Sequence, residues 1–492
     1  MTDVYWYKQL LEKIHNAYNE IIIIVDPDNL VSADELRNKL SQAYVIHYYK
    51  NDIELEKALY TLDNKPVLII LSENRQLQYH IERQSERIEW SLSDIFPNID
   101  TTAIKEFPIN LLDIIYREYT SQTIPNAVLD EDETRNLIRE WVETGSKNIE
   151  INELIETIRN IIADENPNWM ELAQNWGKLL CISDNNNIVI EDFSELDLII
   201  CEKFEAYILS HYKDLFFATT HEGPVTINKV MEYIGYQNGE KNALICFDGM
   251  AFQEWYLIKD YLIRHEINKF KEHPLYALLP TLTHTSRRAL YCGEKTIEKL
   301  TSEDRGFRNY IIKNWKNFDP NAIKFYYNAK PEWNSDYINY DNIGIIINIV
   351  DDCAHAEKYV DNSKRLMQKK LSIAINESKL FEIFQNLLDE GYRIFVGSDH
   401  GTIWCRGTGS RPNKHMEDEG ARRAALYPNE ALADDFVSQH NVHKYLKNDI
   451  FGSKVAVFPK NRDMFGKEGD CTISHGGLHI EEVIIPFVEV MK

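Results

Sequence analysis

Apolar positions along this chain fall into three regimes, each predicting a different kind of element. In the first hundred residues, short aliphatic runs alternate with amphipathic stretches. Trp6, Leu10, Leu11 and Ile14 share one helical face, and the run Ile21–Val25 predicts a buried strand ending at Asp26, Pro27 and Asp28. Ser32 and Glu35 have capping-box spacing ahead of Leu36 and Leu40, which predicts a second helix. Strands over 44–49 and 67–71, with a helix over Leu55 and Leu59 between them, complete a small Rossmann-like α/β domain over residues 1–100. Asp26 and Asp28 read as turn residues, with an acidic metal pocket as the alternative.

From 101 to 240 the period changes to that of helices. Ile151, Leu154, Ile155, Ile158, Ile161 and Ile162 lie on one face at intervals of three and four, the pattern of a packing stripe. The acidic run Asp130–Glu133 suits the first turn of a helix, where negative charge is favoured. This middle region carries no recognisable chemistry and reads as a spacer, a lid or a partner surface. Strands return after Lys241, and 241–492 is the third predicted domain. Ala243–Phe247, Ile343–Val350 and Arg393–Gly397 are buried-strand runs, and Val483–Val488 is the last.

Composition narrows the class. With 492 residues and 44% hydrophobic content, the chain can bury two or three cores. Its longest aliphatic runs are far short of the roughly 18 residues of a membrane span. Seven scattered cysteines without a C-x-x-C pair fit reduced thiols, and with no basic-apolar leader at the start the expectation is a cytoplasmic protein. The 54 Lys and Arg against 78 Asp and Glu give a net charge of -24, which opposes broad electrostatic gripping of duplex DNA. Nucleic-acid contact should be local or bridged by cations.

The candidate chemistry lies where the later strands end. The first runs into Asp248-Gly249, the second into Asp351-Asp352 with His355 four residues on, and the third into Ser398-Asp399-His400-Gly401. Open α/β sheets bind ligands at such carboxyl ends. Carboxylates gathered there repel one another unless cations neutralise them, and Asp and His are suitable donors. Another His is needed for two full sites, and spacing leaves His475 and His479 as competitors. Between the first two of these strands, Thr281, Thr283, Thr285 and Ser286 cluster after Pro280; Thr285 or Ser286 is expected to cap the helix that follows. A hydroxyl at a helix N-terminus suits a phosphate. Arg406, Arg411, Lys414, Arg422 and Arg423 form a local basic cluster, read either as phosphate contacts or as a solvated loop with Glu417, Asp418 and Glu419.

Taken together, D-G-M at 248–250, L-P-T-L-T-H-T-S-R-R-A-L at 279–290, D-D-C-A-H at 351–355, S-D-H-G at 398–401 and H-G-G at 475–477 with E-E-V-I-I-P after it resemble the PglZ domain of the alkaline phosphatase superfamily. The N-terminal part is more weakly similar to the region preceding PglZ domains in BREX phage-defence systems. The resemblance implies an alkaline-phosphatase-like, mostly parallel sheet with helices on both faces over 241–492. It implies two divalent ions, Zn with Mn as the alternative. One would sit on Asp248, Asp399, His400 and the nucleophile Thr283, the other on Asp351, His355 and His475. It prefers Thr283 to Thr281 and His475 to His479. Ser286 stands where relatives often carry an Asn, and Ser286, Arg287 and Arg406 are the expected substrate contacts. The implied activity is phosphoester hydrolysis, as a phosphodiesterase or nuclease in phage defence, with an oligonucleotide or single-stranded nucleic acid as substrate and protein partners from the same system. A signalling phosphodiesterase for cyclic or short oligonucleotides and a catalytically silent metal-binding scaffold are the alternatives.

Overall fold

The run Ile21–Val25 forms β1, an inner strand of a four-stranded parallel sheet with β2 (Val45–Tyr48), β3 (Val67–Leu71) and β4 (Ser85–Glu89), in the order β2-β3-β1-β4. Its aliphatic side chains are buried on both faces, as expected of an inner parallel strand. The fourth strand escaped prediction because Ser-Glu-Arg-Ile-Glu carries one buried apolar residue, Ile88, as an edge strand can. The structure is a computed structural model describing residues 5–61, 66–121, 129–218, 222–237, 239–295, 302–316, 318–355, 364–412, 414–416, 421–446 and 454–492. Glu417, Asp418 and Glu419 lie outside the described residues.

Two sequence expectations in this part resolve locally. Ser32 and Glu35 do not form a capping box. The helix Asp34–Ser41 starts after Ala33, Ser32 donates to the Asn29 carbonyl, and Glu35 accepts from the Tyr7 hydroxyl at 2.8 Å. Asp26 is a turn residue: its two carboxylate oxygens accept from the Leu30 and Val31 amides, both at 2.8 Å. Asp28 accepts from the Leu92 amide at 2.7 Å and pairs with Lys105 at 2.7 Å, so both acidic groups have partners without a metal.

The chain divides into two compact units, Met1–Glu150 and Ile151–Lys492. In the second, the strands are β5 (Asn242–Phe247), β6 (Lys269–Tyr276), β7 (Ile323–Tyr326), β8 (Asn342–Ile347), β9 (Arg393–Gly397), β10 (Ile403–Gly407), β11 (Ala425–Tyr427), β12 (Val442–Leu446), β13 (Val455–Pro459), β14 (Asp463–Met464), β15 (Cys471–Ser474) and β16 (Ile484–Met491). Six of them make the main sheet, in the order β6-β16-β9-β5-β8-β7. Only β16 runs against its neighbours; β5, β7, β8 and β9 are parallel. Thus β9, β5 and β8 lie side by side and their carboxyl ends share one edge. Two three-stranded sheets accompany it, β14-β10-β15 and β11-β13-β12.

Burial holds this edge in place. Residues Ala243–Phe247 and Ile343–Ile347, Gly344 included, are buried, and each fully buried Ile contributes about 1.5–3 kcal/mol. The stripe residues Ile151, Leu154, Ile158 and Ile162 join the same core, as do Trp176 and Phe204 from the helices Trp169–Asn186 and Phe193–Leu215. Residues 151–215 are therefore no free spacer. The Tyr212 hydroxyl donates to the Ala277 carbonyl at 2.9 Å and accepts from the Leu279 amide at 2.8 Å, bracing the segment that leads to the threonine cluster.

Candidate metal centre

Asp248 follows β5 directly, and Asp399 and His400 follow β9 after Ser398. The Ser398 hydroxyl ties the two turns together, accepting from the Met250 amide at 3.0 Å and donating to the His400 carbonyl at 2.7 Å. Gly249 adopts a left-handed φ of 73°, which a side chain would strain. At Gly401 a Cβ would collide with the Glu481 carbonyl oxygen, so only glycine lets His400 take its place. β8 ends at Ile347, earlier than expected, and Ile349–His355 is a helix. Asp351 thus leaves from a first helical turn, and the spacing of four brings its Oδ1 to 3.1 Å from His355 Nε2.

Ligand atoms of Asp248, Asp399 and His400 lie within 4.8 Å of one another, and all three residues are buried. Asp248 Oδ1 and Asp399 Oδ2 have no hydrogen-bond donor among the described residues. Burial and the neighbouring Asp399 charge push the Asp248 carboxyl above its ordinary range. Burial likewise raises Asp399, against the opposing charge of Arg287, and lowers His400. Burial also acts on Asp351, but the His355 hydrogen bond and charge outweigh it and hold that carboxyl below its usual value. Orphaned buried carboxylate oxygens beside an imidazole nitrogen are the donor set of a divalent cation, so these residues fit one.

Both histidines present the same nitrogen. His400 Nδ1 lies 3.1 Å from the Gly401 carbonyl and His475 Nδ1 2.7 Å from the Thr281 carbonyl; a carbonyl only accepts, so Nδ1 carries the proton and Nε2 keeps its lone pair. Their rings stack at 4.0 Å between centroids. Thr283 Oγ1 donates to His400 Nε2 at 2.9 Å. The helix begins at Thr283 after Leu282, so neither Thr285 nor Ser286 caps it, and Thr283 takes the first helical position. Thr281 serves a different end, accepting from the Gly476 amide at 2.8 Å.

Of the expected substrate contacts, Arg287 lies one turn after Thr283, donates to Asp248 and reaches 3.6 Å from Asp399. Ser286 is buried, and its hydroxyl has no partner among the described residues. Arg406 is exposed on β10, and no hydrogen bond or ion pair among the described residues joins it to the carboxylates. The basic cluster does not act as one. Arg411 and Lys414 are exposed, but Arg423 is fully buried, paired with Glu482 at 3.0 Å and donating to the Asn461 and Asp463 carbonyls. Glu482 also accepts from the Gly477 and His479 amides at 2.8 and 3.0 Å, closing the turn that carries His475. Spacing alone could not separate a buried Arg from exposed ones.

His479 belongs elsewhere, with Asp197 and Cys201, a second group of ligand-type side chains. Its Nδ1 accepts from the Glu481 amide at 3.2 Å, which leaves the proton on Nε2, 3.4 Å from Asp197. Arg462 donates twice to Asp197 at 2.8 Å. Against the burial penalty, Arg462 and His479 hold the Asp197 carboxyl well below its ordinary range. Both Asp197 oxygens thus have a donor in Arg462, whereas Asp248 Oδ1 and Asp399 Oδ2 have none among the described residues.

A search of curated proteins returned no match. Similar solved structures include murine ectonucleotide pyrophosphatase/phosphodiesterase 5 in an inactive form with AMP, 14% identical, with a TM-score of 0.36 over 51% of this chain and 87% of that one. The human counterpart is 13% identical, with a TM-score of 0.33 over 50% and 87%. Phosphonoacetate hydrolase from Sinorhizobium meliloti with phosphonoformate is 10% identical, with a TM-score of 0.31 over 51% and 90%. Residues 228–490, more than half of the chain, match the family described as the BREX system PglZ alkaline phosphatase-like domain. Enzymes of that superfamily usually employ divalent metals. By this match the chain belongs to the PglZ family, an alkaline-phosphatase-like branch of the phosphoesterases.

Proposed function

We propose that the chain is a metal-dependent phosphoester hydrolase, acting on phosphodiesters, with Thr283 as its nucleophile. The observation that carries this reading is the 2.9 Å hydrogen bond from Thr283 to His400 Nε2, at a helix start beside two buried carboxylates. Asp248, Asp399, His400 and Thr283 would hold one divalent ion, and Asp351, His355 and His475 a second; mixed Asp and His donors without Cys suit Zn, with Mn as the alternative. Bound there, the ions supply positive charge that lowers the hydroxyl pKa and offsets charge developing on the phosphoryl oxygens.

The remaining work falls to the chain itself. His400 Nε2 has one lone pair, so it holds the Thr283 hydroxyl only until an ion takes that pair. The helix start then keeps the Thr283 oxygen in place for attack. The first turn of Thr283–Cys292 offers amide N–H groups and the positive end of its dipole to the phosphate. Ser286, whose hydroxyl has no partner among the described residues, can donate to a phosphoryl oxygen, and Arg287 supplies charge one turn away. Attack forms the Thr283 O–P bond and expels the substrate alcohol; water then cleaves the phosphothreonine and returns the hydroxyl. On this reading the chain acts in phage defence in the cytoplasm, on an oligonucleotide or single-stranded nucleic acid and with protein partners from the same system; the BREX designation of the family supports the defence role. Among the described residues no helix is long and apolar enough to cross a membrane.

Wild type and Thr283→Ala, assayed on bis-aryl phosphate, mono-aryl phosphate, a cyclic oligonucleotide and single-stranded DNA with and without Zn or Mn, test this. Turnover surviving in Thr283→Ala removes the nucleophile assignment. Activity confined to the cyclic oligonucleotide favours a signalling enzyme, and tight metal binding without any turnover favours a silent scaffold.

A further inference from the structure

We infer that a cavity joined to the turns carrying Asp248 and His400 binds a small uncharged heterocycle, and that those turns sense its occupancy. The cavity, of about 160 Å³, lies within the C-terminal unit, and Leu180, Ile188, Ile190, Phe193 and Trp404 supply most of its apolar lining. An apolar cavity of about 150 Å³ accepts benzene, so this one has room for a single ring. The exposed Val189 is part of the lining too, which opens the cavity to solvent.

Three further lining residues, Gln253, Lys364 and Glu481, connect it to the two turns. Gln253 stands in the first turn of the helix Phe252–Arg264, which follows the Asp248 turn directly. Lys364 Nζ donates to the Thr402 carbonyl at 2.8 Å, just after His400 and Gly401. It also pairs at 2.7 Å with Glu254, whose other carboxylate oxygen accepts from the Ala251 amide at 2.9 Å. The Thr402 hydroxyl donates to the Gly249 carbonyl at 3.3 Å and so ties the turns to each other. The Glu481 carbonyl lies against Gly401, where a Cβ would collide with it. A ligand that presses on Lys364, Gln253 or Glu481 therefore acts on Asp248 and His400 through one or two contacts.

The charges in the lining already have partners. Lys364 is paired with Glu254, and Arg462 with Asp197 and Glu481. Asp184 accepts from Gln253 at 2.8 Å and lies 3.7 Å from Arg365. Ser183 donates to the Ile188 carbonyl at 2.6 Å. A charged ligand would have to break one of these pairs and leave a desolvated charge behind, so the lining favours an uncharged one. The Trp404 indole differs from these groups. It is more than nine-tenths buried, and its N–H has no acceptor among the described residues. A buried donor left unpaired is costly, and an indole N–H can only donate, so the complementary group is an acceptor. A single ring bearing a carbonyl or ring-nitrogen acceptor fills the apolar lining, pairs with Trp404 and disturbs no ion pair.

Equilibrium dialysis of the intact chain against radiolabelled uracil tests the site, with benzene and orotate as competitors. Benzene has no acceptor, and orotate is the same ring carrying a carboxylate. Uracil should bind more tightly than either. Trp404→Phe keeps an aromatic ring and removes the N–H, so the affinity ratio of uracil to benzene should fall about two- to twelvefold, the range of one hydrogen bond. Leu180→Phe, which fills the cavity, should abolish uracil binding. No uracil binding by wild type, orotate bound as tightly as uracil, or a ratio unchanged in Trp404→Phe each overturns the site. The link to the turns is read by hydrogen exchange, which should slow across residues 248–254 and 399–402 when uracil is bound; exchange that does not change there overturns the link. Neither measurement uses metal or turnover, so both hold whatever the chain hydrolyses.

Discussion

Replacing Arg423 by Met should be among the most damaging single changes in the C-terminal unit. The guanidinium and its partner Glu482 are both fully buried, and Glu482 accepts from Arg423, Gly477 and His479 at 3.0, 2.8 and 3.0 Å. Removing one member of a buried ion pair costs about 3–5 kcal/mol, because the other charge stays desolvated without its counterion. The Asn461 and Asp463 carbonyls lose a donor as well. Set against a total stability of about 5–15 kcal/mol for a typical domain, the variant should be marginal. Urea unfolding followed by tryptophan fluorescence measures the loss. Arg411→Met is the control: its side chain is exposed, and its effect should stay within about 0.5 kcal/mol. Pairing Arg423→Met with Glu482→Leu should recover only the part due to the orphaned charge, since the Gly477 and His479 amides then lose their acceptor. If Arg423→Met proves as benign as Arg411→Met, the assignment of Arg423 to the turn carrying His475 is wrong.

Thr283→Ala should abolish phosphodiester turnover and leave bound metal, measured by elemental analysis, near the wild-type level, because two carboxylates and His400 remain. Gly401→Ala should lower unfolding stability by about 1–3 kcal/mol or more, since its Cβ meets the Glu481 carbonyl and the backbone must shift; circular dichroism during thermal melting reads this directly. Asp197 has a depressed folded pKa, so its contribution is present above the ordinary carboxylate range and lost as pH falls through the folded value. Wild type should therefore exceed Asp197→Asn in stability at neutral pH, and the gap should begin to narrow only as pH falls below about 4. A gap that stays constant as pH falls from about 4 to about 2 would show that Arg462 does not hold the Asp197 carboxylate ionised.

Local pattern alone specified what depends on neighbours along the chain. The apolar runs leading to Asp248 and Asp399 had to be buried strands, because unbroken apolar residues leave no polar face for water. The spacing of Asp351 and His355 was legible for the same reason, a helical turn being a local object. Tertiary structure decided everything that needed two distant segments. It placed His475 Nδ1 against the Thr281 carbonyl and His479 Nδ1 against the Glu481 amide, and it put the Thr283 hydroxyl beside His400 while that of Thr281 meets the Gly476 amide. It also turned Arg423 inward while Arg411 stayed in solvent, and recruited Tyr212 from a helix that had shown no chemistry. Hydrogen bonds and ion pairs are short-range and directional, so a residue's role is set by which atoms lie within about 3 Å of it, and the order of residues records only its covalent neighbours.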